Sequence, residues 1–268
     1  MESLVDTVFV TLSDASYYPN AHRTLRQLRE AGRWEGDAVL LCVDFEPDEY
    51  TRGHLQELRV EAICLQHLDH TPLWRAWETH PIAHLDDNRH YGKVYQWDKL
   101  QVFGQWCRRW ARVVFLDAGM HVLSEVRPLL ELDWRGRLLA PHDGAPRDMV
   151  RVFRTQLDLD ANPPVAQDLL ETFGEEILRR PYFINCCFVF DTTLARAALE
   201  SMLPWMSRFP IMLCNEMGIM NLYFAMHVDK WAILPTHTEE GGLLFGYSNS
   251  DWPGRPPASH FCMLKYPS

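Results

Sequence analysis

Arg112-Val113-Val114-Phe115-Leu116-Asp117-Ala118-Gly119 is the stretch that decides how this chain is read. A short apolar run, rich in β-branched and aromatic residues and closed by turn-forming residues, reads as a buried strand. Its closing aspartate matters, because ligands of parallel α/β sheets bind beyond the carboxyl ends of the strands.

Upstream, residues 5–12 read as a first buried strand that ends in Ser13-Asp14-Ala15-Ser16. A helix is predicted over 20–31, with Leu25 and Leu28 on one face and Gly32 as its stop. Residues 38–44 form a second apolar run closed by Asp44, 49–58 a helix, and 60–65 a third strand. This alternation predicts an α/β protein with a Rossmann-like, mostly parallel central sheet flanked by helices. It directs attention to Ser13, Asp14, Asp44 and Asp117 as strand-end residues. Residues 66–92 read as a long loop with a short helix. Residues 93–110 read as one amphipathic helix, with Trp97, Leu100, Phe103, Cys107 and Trp110 as its buried stripe and Lys99 off it.

Further strands are expected over 138–141 and 183–191, and helices over 195–206 and 216–226. From Leu234 onward, glycine, proline and histidine predict an ordered active-site loop or an irregular tail. The expected organisation is one domain over 1–268, with a nucleotide-binding half (1–135) and an acceptor-side half with a C-terminal loop (136–268).

Composition bounds the function. The 268 residues are 47% hydrophobic and 23% charged, an ordinary globular balance. A net charge of −10 argues against broad electrostatic binding to nucleic acid or anionic membranes. The basic cluster Arg108-Arg109-Trp110-Ala111-Arg112 reads as a solvated helix end. Seven cysteines without a CxxC pair read as free thiols of a reducing compartment. No run reaches the ~18 apolar residues of a membrane span, and no secretory leader is evident. The expected location is therefore cytoplasmic.

The stretch Trp97-Asp98-Lys99-Leu100, followed by a helical pattern and then by Val113-Val114-Phe115-Leu116-Asp117-Ala118, resembles family 8 glycosyltransferases and their GT-A relatives, the group that includes glycogenin and the galactinol synthases. In that family a Lys-Leu pair opens a helix, and a strand then delivers a DXD motif. The resemblance continues in order along the chain. Thr11-Leu12-Ser13-Asp14 with Tyr17-Tyr18 is similar to the family's first strand and nucleotide loop. Leu129-Leu130-Glu131-Leu132 is similar to the segment after DXD. Phe183-Ile184-Asn185-Cys186-Cys187-Phe188 is similar to its Phe-Asn-Ser-Gly strand, and Asn215-Glu216 through Asn221 to its Asp-Gln helix. His260-Phe261 with Lys265-Tyr266-Pro267 is similar to its closing His-Phe…Lys-Pro-Trp.

This resemblance implies roles. Thr11, Asp14, Tyr17, Asp117, Gly119 and Lys265 would line the donor nucleotide. Lys99, Asn185 and Glu216 would act at the transferred sugar, and Asp117 and His260 would be metal ligands. Each has a plainer reading as well: Asp14 and Asp117 as turn residues, Lys99 as a solvated lysine, Glu216 as an acidic helix start. Mn²⁺ or Mg²⁺, the cations suited to oxygen ligands beside phosphates, is the cofactor the resemblance implies. Gly119, however, stands where the second DXD aspartate is expected. Three alternatives stay open: a metal held by Asp117 and His260, a metal-independent site in which Lys99, Lys265 or an arginine stabilises the diphosphate, or binding without turnover.

The expected partners are a nucleotide-sugar donor, UDP-linked by the resemblance, and a carbohydrate or other hydroxyl acceptor. The implied reaction is sugar transfer with retention. The competing reading is a sugar-nucleotide-binding or regulatory protein that kept the fold and lost turnover. A nucleotidyltransferase is disfavoured, because no glycine-rich basic loop follows the first strand. His237-Thr238-Glu239-Glu240-Gly241-Gly242 has no counterpart in the resemblance, and Trp74, Trp77 and Trp252 are candidates for stacking on an acceptor sugar.

Overall fold

A computed structural model describes residues 6–79, 91–143, 152–160, 162–236, 243–247 and 261–265. The chain opens with strand β1 (Thr7–Ser13), helix α1 (Tyr18–Glu30), β2 (Asp37–Val43), α2 (Glu49–Glu57) and β3 (Glu61–Leu65), the predicted alternation. Helix α3 (Thr71–Thr79) is the short helix expected after it. Strand β4 (Arg112–Leu116) is the apolar run predicted to end at Asp117, and every one of its residues is buried. There follow β5 (Met120–Val122), α4 (Arg127–Leu130), β6 (Leu138–Ala140), α5 (Pro163–Phe173), β7 (Cys187–Asp191), α6 (Ala195–Arg208), α7 (Glu216–Met226), β8 (Trp231–Ile233), β9 (Leu243–Tyr247) and β10 (Phe261–Lys265).

Seven strands form the central sheet in the order β3-β2-β1-β4-β7-β6-β8. β1 pairs in parallel with β2 on one side and with β4 on the other. The chain therefore leaves β1 in one direction and returns past it to β4, so the strand order reverses at the carboxyl ends of β1 and β4. Such a switch point is where open α/β sheets bind ligands. β7 runs antiparallel to both β4 and β6. A smaller sheet, β5-β10-β9, joins β10 to β5 antiparallel and to β9 parallel.

Alternation along the strands builds a core on each face of the sheet. Val8, Val39, Val113, Phe115, Phe188 and Phe190 pack on one face, and Phe9, Leu40, Val114, Leu116 and Val189 on the other. Each fully buried side chain of this size is worth about 1.5–3 kcal/mol.

The structure revises several expectations. The segment predicted as one α-helix over 93–110 is two 3-10 helices, Tyr91–Phe103 and Gln105–Arg109, parted at Gly104. The buried residues Val94, Trp97, Leu100 and Phe103 recur at strict intervals of three, and a 3-10 helix stacks residues i and i+3 on one face. Arg112 is not a solvated cation: its Nε donates to Thr7 Oγ1 at 2.8 Å, its Nη1 donates to Leu130 O at 2.7 Å, and it lies against Trp134. Arg109 does reach the surface, where it pairs with Glu61. Trp77 is a core residue, with Trp74 edge-on against it, which removes Trp77 as a stacking platform. The tail contributes β9 and β10 rather than only loop. Trp252 and the segment 237–242 lie outside the described residues. All seven cysteines are free. Among the described residues no helix is long and apolar enough to cross a membrane.

Candidate active site

Pairing across the sheet decides what meets Asp117. Leu116, the last residue of β4, lies opposite Cys187, the first of β7. Because the two strands are antiparallel, the residues just before β7 come level with those just after β4. Asp117 N donates to Cys186 O at 2.8 Å, which brings Asn185 to the same rim. The turn beyond Asp117 is held from behind by α1, where Thr24 Oγ1 donates to Met120 O at 2.7 Å and lies 3.1 Å from Ala118 O. Gly119 sits in this turn, half-buried.

Two further elements complete the site. The 3-10 helix Tyr91–Phe103 buries Val94, Trp97, Leu100 and Phe103, and Lys99 lies between those positions. Helix α7 begins at Glu216, directly after Asn215, which adopts φ 50°, ψ −129°. That backbone geometry is costly for a residue with a side chain. The Asn215 side chain is tied down as well: its Nδ2 donates to Gln96 Oε1 at 2.9 Å, which links the start of α7 to the helix carrying Lys99.

The four side chains converge. Lys99 Nζ is 3.0 Å from Asp117 Oδ1 and 3.2 Å from Glu216 Oε1. It also donates to Asn185 Oδ1 at 3.4 Å, while Asn185 Nδ2 donates to Glu216 Oε1 at 2.9 Å. An ammonium has three N–H donors, and here three oxygens surround it. The Glu216 side chain is only 4% exposed, and its second oxygen, Oε2, is buried without a hydrogen-bond partner among the described residues. Burial opposes the charge on Lys99, but the Asp117 and Glu216 carboxylates outweigh it and raise its pKa above that of an ordinary lysine.

Asp117, Lys99, Asn185 and Glu216, singled out in the sequence from four separate segments, thus form one contact cluster. Thr11 lies buried near the carboxyl end of β1, its hydroxyl without a partner among the described residues. Asp14 and Tyr17 occupy the β1–α1 loop at the same edge of the sheet. There Asp14 Oδ1 accepts from Tyr17 N at 2.8 Å and from Ser16 Oγ at 2.7 Å, the turn role weighed for it, and Tyr17 is exposed. Lys265 lies on β10 with its backbone opposite Met120. His260 falls outside the described residues.

Sequence reasoning missed a second polar cluster beside the first. The Asp98 carboxylate, fully buried, receives Leu68 N at 2.7 Å, lies 2.7 Å from His67 Nδ1, and is 3.5 Å from His70 Nε2. His67 Nε2 in turn lies 3.3 Å from Asp44 Oδ2. Burial works against the Asp98 charge, but the nearby His70 and hydrogen bonds from Leu68 N and His67 outweigh it, and its pKa sits below the usual carboxylate value. The available signal was Asp98 itself, an aspartate directly after Trp97 of the predicted buried stripe.

The described residues around Asp117 do not by themselves make up the shell of a hexacoordinate divalent ion, and His260, the other ligand the resemblance implies, lies outside them. Asp117 Oδ1 and Glu216 Oε1 are both engaged by Lys99, position 119 supplies no carboxylate, and no group of three or more ligating side chains forms among the described residues.

No protein-family profile matches the chain, and no curated protein matches it. Solved structures do. The galactosyltransferase LgtC, determined with donor and acceptor sugar analogues, aligns with TM-score 0.61 and 14% identity over 97% of this chain and 86% of that one. WbbM, a bifunctional glycosyltransferase, aligns with TM-score 0.59 and 15% identity over all of this chain and 47% of that one. Core-mannan synthase A (CmsA/Ktr4) from Aspergillus fumigatus, in an Mn/GDP form, aligns with TM-score 0.58 and 9% identity over 87% and 74%. At these identities the likeness is one of fold, and the seven-stranded, mostly parallel sheet of this chain, flanked by helices, is that of the GT-A glycosyltransferases.

Proposed function

We propose that this protein transfers a sugar from a nucleoside-diphosphate donor, by the family resemblance a UDP-sugar, to a hydroxyl acceptor with retention of anomeric configuration. The observation that carries this reading is the meeting of Lys99, Asp117, Asn185 and Glu216, drawn from four elements, at the switch point of the sheet. In this reading residues 1–135 bind the nucleotide and residues 136–268 form the acceptor side. Thr11, Asp14 and Tyr17 face the nucleoside, Asp117 accepts from a ribose hydroxyl, and Gly119 and Lys265 lie along the diphosphate. Asn185 and Glu216 face the sugar.

The bond between the anomeric carbon and the diphosphate oxygen breaks, and its electron pair leaves with the diphosphate. The acceptor oxygen bonds to the same face of that carbon, and its proton passes to the departing phosphate. Lys99 supplies positive charge where negative charge develops. Its worth there is greatest because its neighbours already hold it protonated and oriented.

The test is incubation of the purified chain with a panel of UDP- and GDP-sugars, measuring released nucleoside diphosphate and transferred sugar. Turnover with at least one donor, reduced about 100-fold or more in Asp117→Asn, is the expected result. A second reading, donor binding without turnover, is favoured by one observation, the glycine at position 119. Saturable nucleotide binding with neither hydrolysis nor transfer establishes that reading instead.

A further inference from the structure

We infer that this site holds the diphosphate of its donor without a divalent cation, the fixed ammonium of Lys99 supplying positive charge there. The inference rests on the nucleotide-sugar reading above and concerns how that same site is charged.

Three observations carry it. First, Lys99 is coordinated as a small cation would be: three oxygens, from Asp117, Glu216 and Asn185, lie 3.0, 3.2 and 3.4 Å from one nitrogen. A divalent ion placed on Asp117 would have to displace this ammonium or sit beside it, and two cations at that spacing repel. Second, the carboxylate that would make a metal worth binding is absent at Gly119. Third, the surplus of negative charge is small. Asp117 and Glu216 against Lys99 leave one negative charge. A carboxylate at 119 would add a second, the condition under which an incoming diphosphate requires a metal.

The exchange on binding is also defined. The Asn185 oxygen is the only neutral one of the three and makes the longest contact. Lys99 gives up that hydrogen bond to a phosphate oxygen while both carboxylates keep it charged and in place.

The test is nucleotide binding by the full chain, followed by calorimetry and thermal shift with UDP and GDP, in excess EDTA and in millimolar Mn²⁺ or Mg²⁺. The expected result is a Kd in EDTA within about threefold of that in metal. Lys99→Met should weaken binding at least tenfold, and Mn²⁺ should not restore it. Gly119→Asp, which leaves Lys99 untouched, should weaken binding in EDTA and regain it on adding Mn²⁺. Binding by the unaltered protein that appears only with metal overturns the inference. So does a Gly119→Asp variant that stays indifferent to metal. If neither nucleotide binds under any condition, the nucleotide-sugar reading falls, and this inference falls with it.

Discussion

Lys99 illustrates how little a residue type says until its neighbours are known. In the sequence it is one lysine off an apolar stripe. In the structure its side chain is 13% exposed and lies between two carboxylates. Lys99→Met therefore leaves Glu216 buried and unpaired, and should cost about 3–5 kcal/mol in urea denaturation. Adding Glu216→Gln to it should recover part of that loss, a coupling of about 1–3 kcal/mol in a double-mutant cycle. Strict additivity would mean the two groups do not interact in solution. The raised pKa of Lys99 makes its contribution complete below the unfolded lysine value and lost only as pH rises through the higher folded value. Asp98 behaves in the opposite sense. Its folded pKa is lowered from 3.8, so its contribution is present above that value and is lost as pH falls through the folded one. The stability gap between the unaltered protein and Asp98→Asn should accordingly be full at pH 6 and shrink below about pH 4. A gap independent of pH would assign Asp98 a role other than that of a charged acceptor.

Among the elements, the strands were the most legible and the segment bearing Lys99 the least. The apolar runs ending at Val43 and Leu116 are buried strands because four or more successive apolar residues have no other way to avoid water on both faces of a sheet, and Val8, Phe9 and Val10 bury the first strand in the same way. The spacing of Trp97, Leu100 and Phe103 located the buried face of the next segment correctly. It did not separate an α-helix from a 3-10 helix, since both place i and i+3 on one side. Helix α7 was predicted with the right bounds, but why it approaches so closely was hidden. At Gly218 an added Cβ would lie 2.9 Å from Met212 Cβ and 2.7 Å from its sulfur, and Met212 is itself buried. Gly218→Ala gains up to ~1 kcal/mol of helix propensity, yet overpacking costs about 1–3 kcal/mol. The net expectation is a loss of about 1 kcal/mol in chemical denaturation, with reduced donor turnover because Glu216 moves with the helix. A stabilised variant would show that the helix shifts freely.

At the scale of the whole molecule, one sheet with a core on each face makes stability and site geometry depend on the same strands. Phe115 faces one core from the centre of β4 and stacks on Phe188 at 4.8 Å. Phe115→Ala should cost about 3–5 kcal/mol and lower the melting temperature by about 10 °C or more, read by calorimetry. A shift of only a degree or two would mean the two faces do not act as one cooperative unit. The sequence by itself determined the α/β alternation, the buried strands and the order in which Lys99, Asp117, Asn185 and Glu216 occur, because burial and turn chemistry are local properties of residue type. Only the tertiary structure decided that these four touch, that Asp98 is enclosed by His67 and His70, and that Arg112 is buried. Those outcomes depend on the antiparallel pairing of β4 with β7 and on the return of α7 to the sheet edge, contacts between segments tens to more than a hundred residues apart that no local pattern encodes.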